Sequence, residues 1–299
     1  MNKGHWYAIG AYGLWGLFPI YWKWLHQVPA LQILGHRIVW SFLCLAVLIL
    51  LSRQGRSFIQ AVWHPRVMAV YVPAAGLITI NWLTFVWAVT NGFVVETSLG
   101  YFINPLLSIL LGVFFLRERL RPMQWVSIVL AALGILYLTL QHGSLPWIAL
   151  VLAFSWAAYG LIKKIAPLGA LQGLTLETGI LLLPVTGYMI YVEEAGEGIF
   201  GHGGLITDLL LFGAGPVTTL PLGLFAAAAR RIPLSHMGFL QYIVPTLQFL
   251  VGVLIFREEF SFAKLIGFVL VWIALILLVL EGYLIHRAFQ KKGERPGEG

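Results

Sequence analysis

The sequence contains few charged residues and almost no cysteine. Only 10% of its 299 residues are charged, against roughly 25% in a typical soluble domain, so there is too little polar surface to cover a water-soluble particle. The single cysteine, Cys44, cannot form an internal disulfide, so the fold does not depend on a redox compartment. These shortages exclude a soluble globular domain and a disulfide-stabilised secreted domain.

Motifs for catalysis, metal binding and nucleotide binding are also missing from the sequence. It has no Walker lysine motif, no HExxH, no cysteine cluster and no histidine pair at metal spacing. Apart from Glu177, the acidic residues fall at predicted helix ends, in loops or in the tail, which disfavours catalysis by paired carboxylates. We therefore expect no enzyme activity, no cofactor, no metal and no ATP-driven pump within this chain.

Long apolar runs dominate the sequence. Hydrophobic residues make up 60% of it, and its mean hydropathy is +0.87. Apolar runs of about 20 residues, separated by short charged or Gly/Pro loops, predict an all-α polytopic membrane protein. The ten predicted spans are 6–24, 31–51, 67–90, 96–116, 122–140, 146–162, 170–192, 206–229, 234–256 and 262–285.

One of these spans occurs twice, 140 residues apart. Residues 101–118 read YFINPLLSILLGVFFLRE and residues 241–258 read QYIVPTLQFLVGVLIFRE, with Pro105 aligned to Pro245 without a gap. Further matches at spacings of 140 or 141 residues extend the duplication across both halves of the chain. The sequence therefore predicts an internal duplication.

Five spans in each copy is an odd number, so the second copy must enter the membrane from the opposite side. We expect two inverted five-helix repeats, residues 1–140 and 141–286, followed by a polar tail at 287–299.

With ten spans, fifteen of the 19 Lys and Arg residues fall on one side and three on the other. The positive-inside rule then places both termini in the cytoplasm. The net charge of +7 is thus a topology signal, and we expect no nucleic-acid partner.

Several motifs resemble those of a known transporter family. They are NWLTFVWA at 81–88, SLGYFINP at 98–105, GPVTTLPLGLFAAAARR at 215–231, GFLQYIVP at 238–245 and the dipeptide His36-Arg37. With these motifs the chain resembles the EamA-type members of the drug/metabolite transporter superfamily, and in particular the RarD permeases. The resemblance implies a multi-pass protein of the bacterial inner membrane whose central cavity carries small amphipathic metabolites or drugs by alternating access. RarD proteins are commonly labelled chloramphenicol-sensitive permeases.

Polar residues recur at helical spacing in the predicted spans. Thr97, Tyr101, Asn104 and Ser108 are spaced four, three and four residues apart, which puts them on one helix face. In lipid such side chains line a wet cavity or hydrogen-bond to neighbouring helices. Deep aromatic residues form a wall for an apolar or aromatic solute, or simply pack. The candidate substrate-binding residues are Tyr12, Trp15, Asn81, Trp82, Tyr101, Asn104, Ser108, Tyr159, Thr219, Gln241, Tyr242 and Gln248.

Two charges lie inside predicted spans, at equivalent positions of the two repeats. Arg37 and Glu177 each lie seven residues after the alanine of an Ala-Leu-Gln triplet. A charge near a helix centre costs roughly 2.5–3.5 kcal/mol on insertion scales, so it calls for a functional hypothesis. We expect that one or both contact a polar end of the substrate or gate a half-channel, with Glu177 or His36 as a candidate proton carrier. The alternative is a structural ion or hydrogen-bond network.

Other residues are expected to have structural roles. Glu118 ends the fourth span just before the fifth, so its carboxylate should favour the positive dipole end of that next helix. Trp22 and other tryptophans near helix ends fit an interfacial belt. The segment between the second and third spans is predicted to be a loop, and Lys163 is counted among the topology charges.

The sequence therefore predicts a secondary transporter of small amphipathic or aromatic molecules, with proton coupling left open. A lipid or lipid-precursor flippase on the same scaffold is the alternative function. The expected partners are a small-molecule substrate and the lipid bilayer.

Overall fold

The structure is a computed structural model that describes residues 3–90, 94–142 and 147–255, together with eight residues between 265 and 277. In this part of the chain all regular structure is helical. The helices are α1 (Lys3–Lys23), α2 (Ala30–Leu51), α3 (Gly55–Val62), α4 (Pro65–Thr90), α5 (Val94–Leu116), α6 (Pro122–His142), α7 (Trp147–Ile165), α8 (Ala170–Glu194), α9 (Leu205–Ala229), α10 (Leu234–Gln241) and α11 (Ile243–Leu250), with a π-helical turn at Val251–Ile255.

The lengths and composition of these helices suit a bilayer. Five segments of the described chain are long and apolar enough to cross one: Ala30–Leu51, Pro65–Phe85, Trp147–Ile165, Ala170–Glu194 and Leu205–Ala229. Large apolar side chains cover the outside of the bundle, and Leu51 and Leu183 are 75% and 82% exposed. An α-helix satisfies its backbone hydrogen bonds internally, which is why it suits a solvent that offers none. The protein is therefore an all-helical, polytopic membrane protein.

The helix boundaries differ from the predicted spans in two places. The predicted loop after the second span contains α3, whose Phe58 packs beside the buried Tyr71 while Ile59 is exposed. The predicted ninth span is broken at Tyr242, between α10 and α11. Pro245 lacks the N–H that would bond one turn back, so a break there has a chemical cause. The predicted tenth span, 262–285, lies largely outside the described residues.

Helices from the two halves of the chain pack against one another. Packed pairs that join the halves include α1 with α9, α1 with α10, α1 with α11, α2 with α8, α2 with α9, α4 with α7, α4 with α8, α5 with α7, α5 with α10 and α5 with α11. The largest buried cluster contains Tyr12, Tyr159 and Phe225, which come from α1, α7 and α9. The core of the bundle therefore lies between the halves.

Two glycines set how closely these helices approach. A Cβ at Gly215 of α9 would lie 2.6 Å from the carbonyl carbon of Trp40 in α2. A Cβ at Gly238 of α10 would lie 2.6 Å from the carbonyl oxygen of Pro105 in α5. Both obstacles are backbone atoms, which cannot rotate away, so glycine is needed where these helix backbones come close.

We predict that Gly215→Ala destabilises the protein by about 1–3 kcal/mol, because the added methyl group forces α2 and α9 apart. Gly187→Ala is the matched control, since a Cβ at Gly187 meets no atom within 4 Å. The control should be neutral or slightly stabilising, because alanine favours the helix over glycine. Unfolding of the purified variants by heat or denaturant measures the difference, and equal stability of the two variants would contradict the packing account.

Candidate functional site

A cavity of about 110 Å³ lies between helices of both halves. Its wall is formed by α1, α2, α4 and α5 from the first half and by α7, α10 and α11 from the second. The lining residues are Tyr12, Trp15, Phe18, Trp22, Arg37, Asn81, Trp82, Phe85, Thr97, Tyr101, Asn104, Leu152, Trp156, Gln241, Val244 and Gln248. In the described part of the chain, the cavity lining is thus a mixed aromatic and amide surface with one cationic side chain.

Aromatic side chains hold one another in place on the wall. The Trp15 ring meets Trp156 edge-on, with ring centroids 5.0 Å apart, and lies 5.8 Å from the ring of Tyr12. Phe225 packs behind them, 5.3 Å from Trp156 and 5.7 Å from Trp15. Edge-to-face contacts of this kind add to the stabilisation from burial alone. The cluster therefore gives the cavity rigid apolar faces from α1 and α7.

The polar atoms of the cavity differ in how fully they are paired. The Asn81 amide donates to the Leu152 carbonyl at 2.9 Å and to the Ser155 hydroxyl at 3.0 Å, which ties α4 to α7. The side-chain oxygens of Asn104 and Tyr12 are buried and have no hydrogen-bond partner among the described residues. A buried polar atom without a partner is costly, so these two oxygens are suited to meet a polar group of a bound molecule.

Arg37 is the cationic group of the cavity. Its Nε donates to the Thr218 hydroxyl of α9 at 3.0 Å. Its guanidinium carbon lies 4.9 Å from the ring centroid of Trp22 and 4.8 Å from that of Trp82, within the range of cation–π attraction. In the described part of the chain, no carboxylate lies within ion-pair distance of Arg37. The charge is therefore held in place by aromatic rings and a hydroxyl.

Glu177 is placed differently, outside the cavity lining. Its two oxygens accept hydrogen bonds of 2.8 Å, one from the Lys163 ammonium group and one from the Tyr159 hydroxyl. The side chains of Lys163 and Glu177 are only 3% and 4% exposed, and the Lys163 ammonium also lies 5.6 Å from the Tyr71 ring. Lys163, which the sequence indicates as a topology charge, is thus half of a buried ion pair.

The predicted site residues divide into two groups. Those that line the cavity are Tyr12, Trp15, Arg37, Asn81, Trp82, Tyr101, Asn104, Gln241 and Gln248. Those that lie outside its lining are His36, Ser108, Tyr159, Glu177, Thr219 and Tyr242. The structure therefore gathers the first group at one place, and their role in binding stays a prediction.

The residues outside the cavity have protein partners or are buried by packing. The Ser108 hydroxyl lies 3.5 Å from the side-chain oxygen of Gln241, and the Thr219 hydroxyl donates to the Pro216 carbonyl one turn back. His36 accepts a hydrogen bond of 3.2 Å from the Trp40 indole. Tyr242 is buried against apolar residues of α5 and α7. None of these four residues belongs to the cavity lining.

Sequence reasoning missed part of the cavity wall. Trp22, assigned to an interfacial belt, lies in the wall beside Arg37. Tyr12, Trp15, Phe18 and Trp22 follow one another at intervals of three or four residues, which places them on one face of α1. Phe85, Leu152, Trp156 and Val244 also line the cavity and are absent from the predicted binding residues. Thr97 lines it too, as its position on the polar face of α5 indicates, although it was not among the predicted binding residues. The aromatic spacing along α1 was the signal that could have identified Phe18 and Trp22.

The carboxylate of Glu118 caps a different helix from the one expected. Its oxygens accept hydrogen bonds from the backbone N–H groups of Leu234 at 2.6 Å and Ser235 at 2.8 Å, at the start of α10. The expectation that it serves the next helix in sequence, α6, is therefore wrong. The carboxylate still meets the positive end of a helix dipole, and the contact joins the two halves of the chain.

These observations define a class of protein: a polytopic helical membrane protein whose helices enclose a solute-sized cavity. The EamA-like transporter family matches residues 2–140. A protein from Streptomyces exfoliatus named Protein RarD is 45% identical over 92% of this chain and 87% of its own. A Bacillus subtilis protein named uncharacterized transporter YojE is 44% identical over 96% of this chain and 97% of its own.

A solved crystal structure shares the fold. It covers 93% of this chain and 98% of its own with a TM-score of 0.71, at 18% sequence identity. Together with the two relatives, this likeness supports the class that the helices and cavity indicate. The chain belongs to the EamA-like transporter family of the drug/metabolite transporter superfamily, as a RarD-like permease, and it is a membrane transporter.

We predict that Lys163→Met destabilises the protein by about 3–5 kcal/mol, because it leaves the Glu177 carboxylate buried without its cation. Adding Glu177→Leu to this variant should recover most of the loss, since both charges are then gone. Lys164→Met is the matched control, because that ammonium group donates to the backbone carbonyl of Ile232. Unfolding by denaturant measures all four proteins. If the double variant is no more stable than Lys163→Met, the two buried charges do not stabilise each other as a pair.

Proposed function

We propose that this transporter carries small amphipathic or aromatic molecules by alternating access between two inverted five-helix repeats, residues 1–140 and 141–286. The observation that carries the proposal is the cavity, because its wall is drawn from both halves of the chain. A binding site between two halves can be exposed to either side of the membrane when the halves rock against each other.

The packing of the helices supports the two-repeat arrangement. At a shift of about 140 residues, α1, α2, α4 and α5 correspond to α7, α8, α9 and the α10–α11 pair. If each helix is replaced by its equivalent, the α1–α9 contact becomes the α4–α7 contact. In the same way the α2–α9 contact becomes α4–α8, and the α5–α7 contact becomes α1–α11. The α2–α8 and α5–α10 contacts each join a helix to its own equivalent, so the exchange leaves them unchanged. All of these contacts are present, as a pseudo-twofold relation requires.

The size and chemistry of the cavity support a small aromatic or amphipathic solute. An apolar cavity of about 150 Å³ holds a benzene molecule, so a cavity of about 110 Å³ has the scale of a small solute or one ring of it. Aromatic faces come from Trp15, Trp82 and Trp156, and amide groups come from Asn104 and Gln248. Such a mixture suits a molecule with an apolar body and a few hydrogen-bonding groups.

We place the protein in the bacterial inner membrane with both termini in the cytoplasm. Under this topology the cavity lies toward the outer side, because Trp22 and Arg37 are near the external ends of α1 and α2. The cytoplasmic side is closed by contacts between the halves, among them the Glu118 cap on α10.

Proteoliposomes that contain the purified protein test this function directly. We predict saturable uptake of at least one of three radiolabelled probes: tryptophan, phenylalanine and chloramphenicol. Asn104→Ala should raise the KM by about three- to tenfold, because it removes an unpaired acceptor from the cavity. Ser127→Ala, in α6 and outside the cavity, removes a hydroxyl that donates to the Met123 carbonyl of its own helix and should leave the KM unchanged. If no probe is taken up and the protein scrambles lipid in the same vesicles, the proposed solute transport is wrong and the protein is a lipid flippase.

We further propose that transport is coupled to protons through Glu177, which shares its carboxylate between an ammonium group and a phenol. An imposed pH gradient should then change the rate of uptake in the same vesicles. Glu177→Gln removes the titratable group and should abolish this response. A variant that transports normally with an unchanged response to the gradient would exclude Glu177 as the proton site.

A further inference from the structure

We infer that Arg37 forms a carboxylate-binding subsite, so that the transported molecule is a small aromatic or apolar carboxylate. The inference rests on the proposed function, because it assumes that the cavity is where the solute binds. It goes further in assigning the charge of the solute and the side chain that recognises it. The reasons are the geometry of the guanidinium group, the pairing of the charges in the second half of the chain, and the shape of the surrounding wall.

The guanidinium group of Arg37 is held in place, but only some of its hydrogen-bond donors have partners. Its Nε is engaged by the Thr218 hydroxyl, and its faces meet the rings of Trp22 and Trp82. The two terminal nitrogens have no hydrogen-bond acceptor among the described residues. They are also not among the fully buried atoms that lack a partner, so they are not sealed inside the protein. These donors therefore remain accessible from the cavity. A guanidinium group presents two parallel N–H donors to a carboxylate in a bidentate pair, which a neutral ligand cannot match.

The equivalent position of the second half shows how this fold neutralises a buried charge. Glu177 corresponds to Arg37, and its partner Lys163 lies 141 residues beyond Trp22. The second half therefore supplies an opposite charge at the position where the first half supplies an aromatic ring. A tryptophan ring stabilises the guanidinium group and holds it in place, but it cannot neutralise its charge. The missing negative charge is the one that a carboxylate ligand would bring.

The neighbouring wall favours an anion with an apolar body. Trp22 and Trp82 cover the guanidinium group, and Trp15, Phe18 and Phe85 continue the aromatic surface of the cavity. Among the described residues that line the cavity none is acidic, so none of them would repel a carboxylate. A cavity of about 110 Å³ has the scale of a single ring or a short apolar chain. These features together point to a compact aromatic carboxylate.

Binding of three probes that share one ring tests this assignment. The probes are 3-phenylpropionate, its neutral amide 3-phenylpropionamide, and the cation 3-phenylpropylamine, each measured with the purified protein in lipid nanodiscs. Wild-type protein should bind the carboxylate at least about tenfold more tightly than the amide, and the amine most weakly. In Arg37→Gln the preference for the carboxylate over the amide should fall to near onefold, while binding of the amide persists and reports an intact cavity.

Two further variants complete the experiment. Arg37→Lys keeps the charge but loses the bidentate geometry, so it should retain a reduced preference for the carboxylate. Arg66→Gln removes an equal charge from an exposed position outside the cavity and should bind as the wild type does. A wild type that prefers the amide, or an Arg37→Gln variant that keeps the preference, would overturn the subsite and leave the proposed function standing. Failure of the wild type to bind any of the three probes would overturn both.

Discussion

Lipid offers no hydrogen-bond partners, and this constraint determines where the polar side chains of the protein lie. Asn81 reaches a carbonyl of α7, and Glu118 reaches the first N–H groups of α10. Both contacts cross between the two halves of the chain. Large apolar side chains cover the outside of the bundle, as the exposed Leu183 does. Polar groups therefore collect at the interface between the halves, and the cavity with its candidate binding residues is a consequence of that arrangement.

The same constraint explains why the two intramembrane charges behave differently. The charge of Glu177 is cancelled inside the protein by Lys163, and the pair is almost fully buried. The charge of Arg37 is stabilised by Trp22 and Trp82, which supply aromatic faces but no negative charge. One end of the bundle is thus closed around a satisfied ion pair, while the other carries a charge that faces the cavity. The proposed repeats would then share a backbone arrangement while their side chains have different tasks.

The sequence predicted the membrane class and many of the cavity residues because both depend on simple periodicity. Tyr101 and Asn104 share a helix face, and a polar face in lipid must turn inward. Other features depend on distant parts of the chain. The partner of Glu118 is 116 residues away in sequence, and the Arg37–Trp22 contact requires α1 and α2 to meet at one place. Lys163 looked like a topology charge because a lysine near a helix end usually is one.

The central claim is that the cavity between the two halves is the solute-binding site. Cysteine accessibility in proteoliposomes tests it most directly, with Cys44→Ala as the background. Leu152→Cys places a thiol on the cavity wall, and His202→Cys places one at an exposed position outside it. The account predicts that a transported solute slows modification of Leu152→Cys by a membrane-impermeant thiol reagent and leaves His202→Cys unaffected. Equal modification of Leu152→Cys with and without a saturating transported solute would contradict the account.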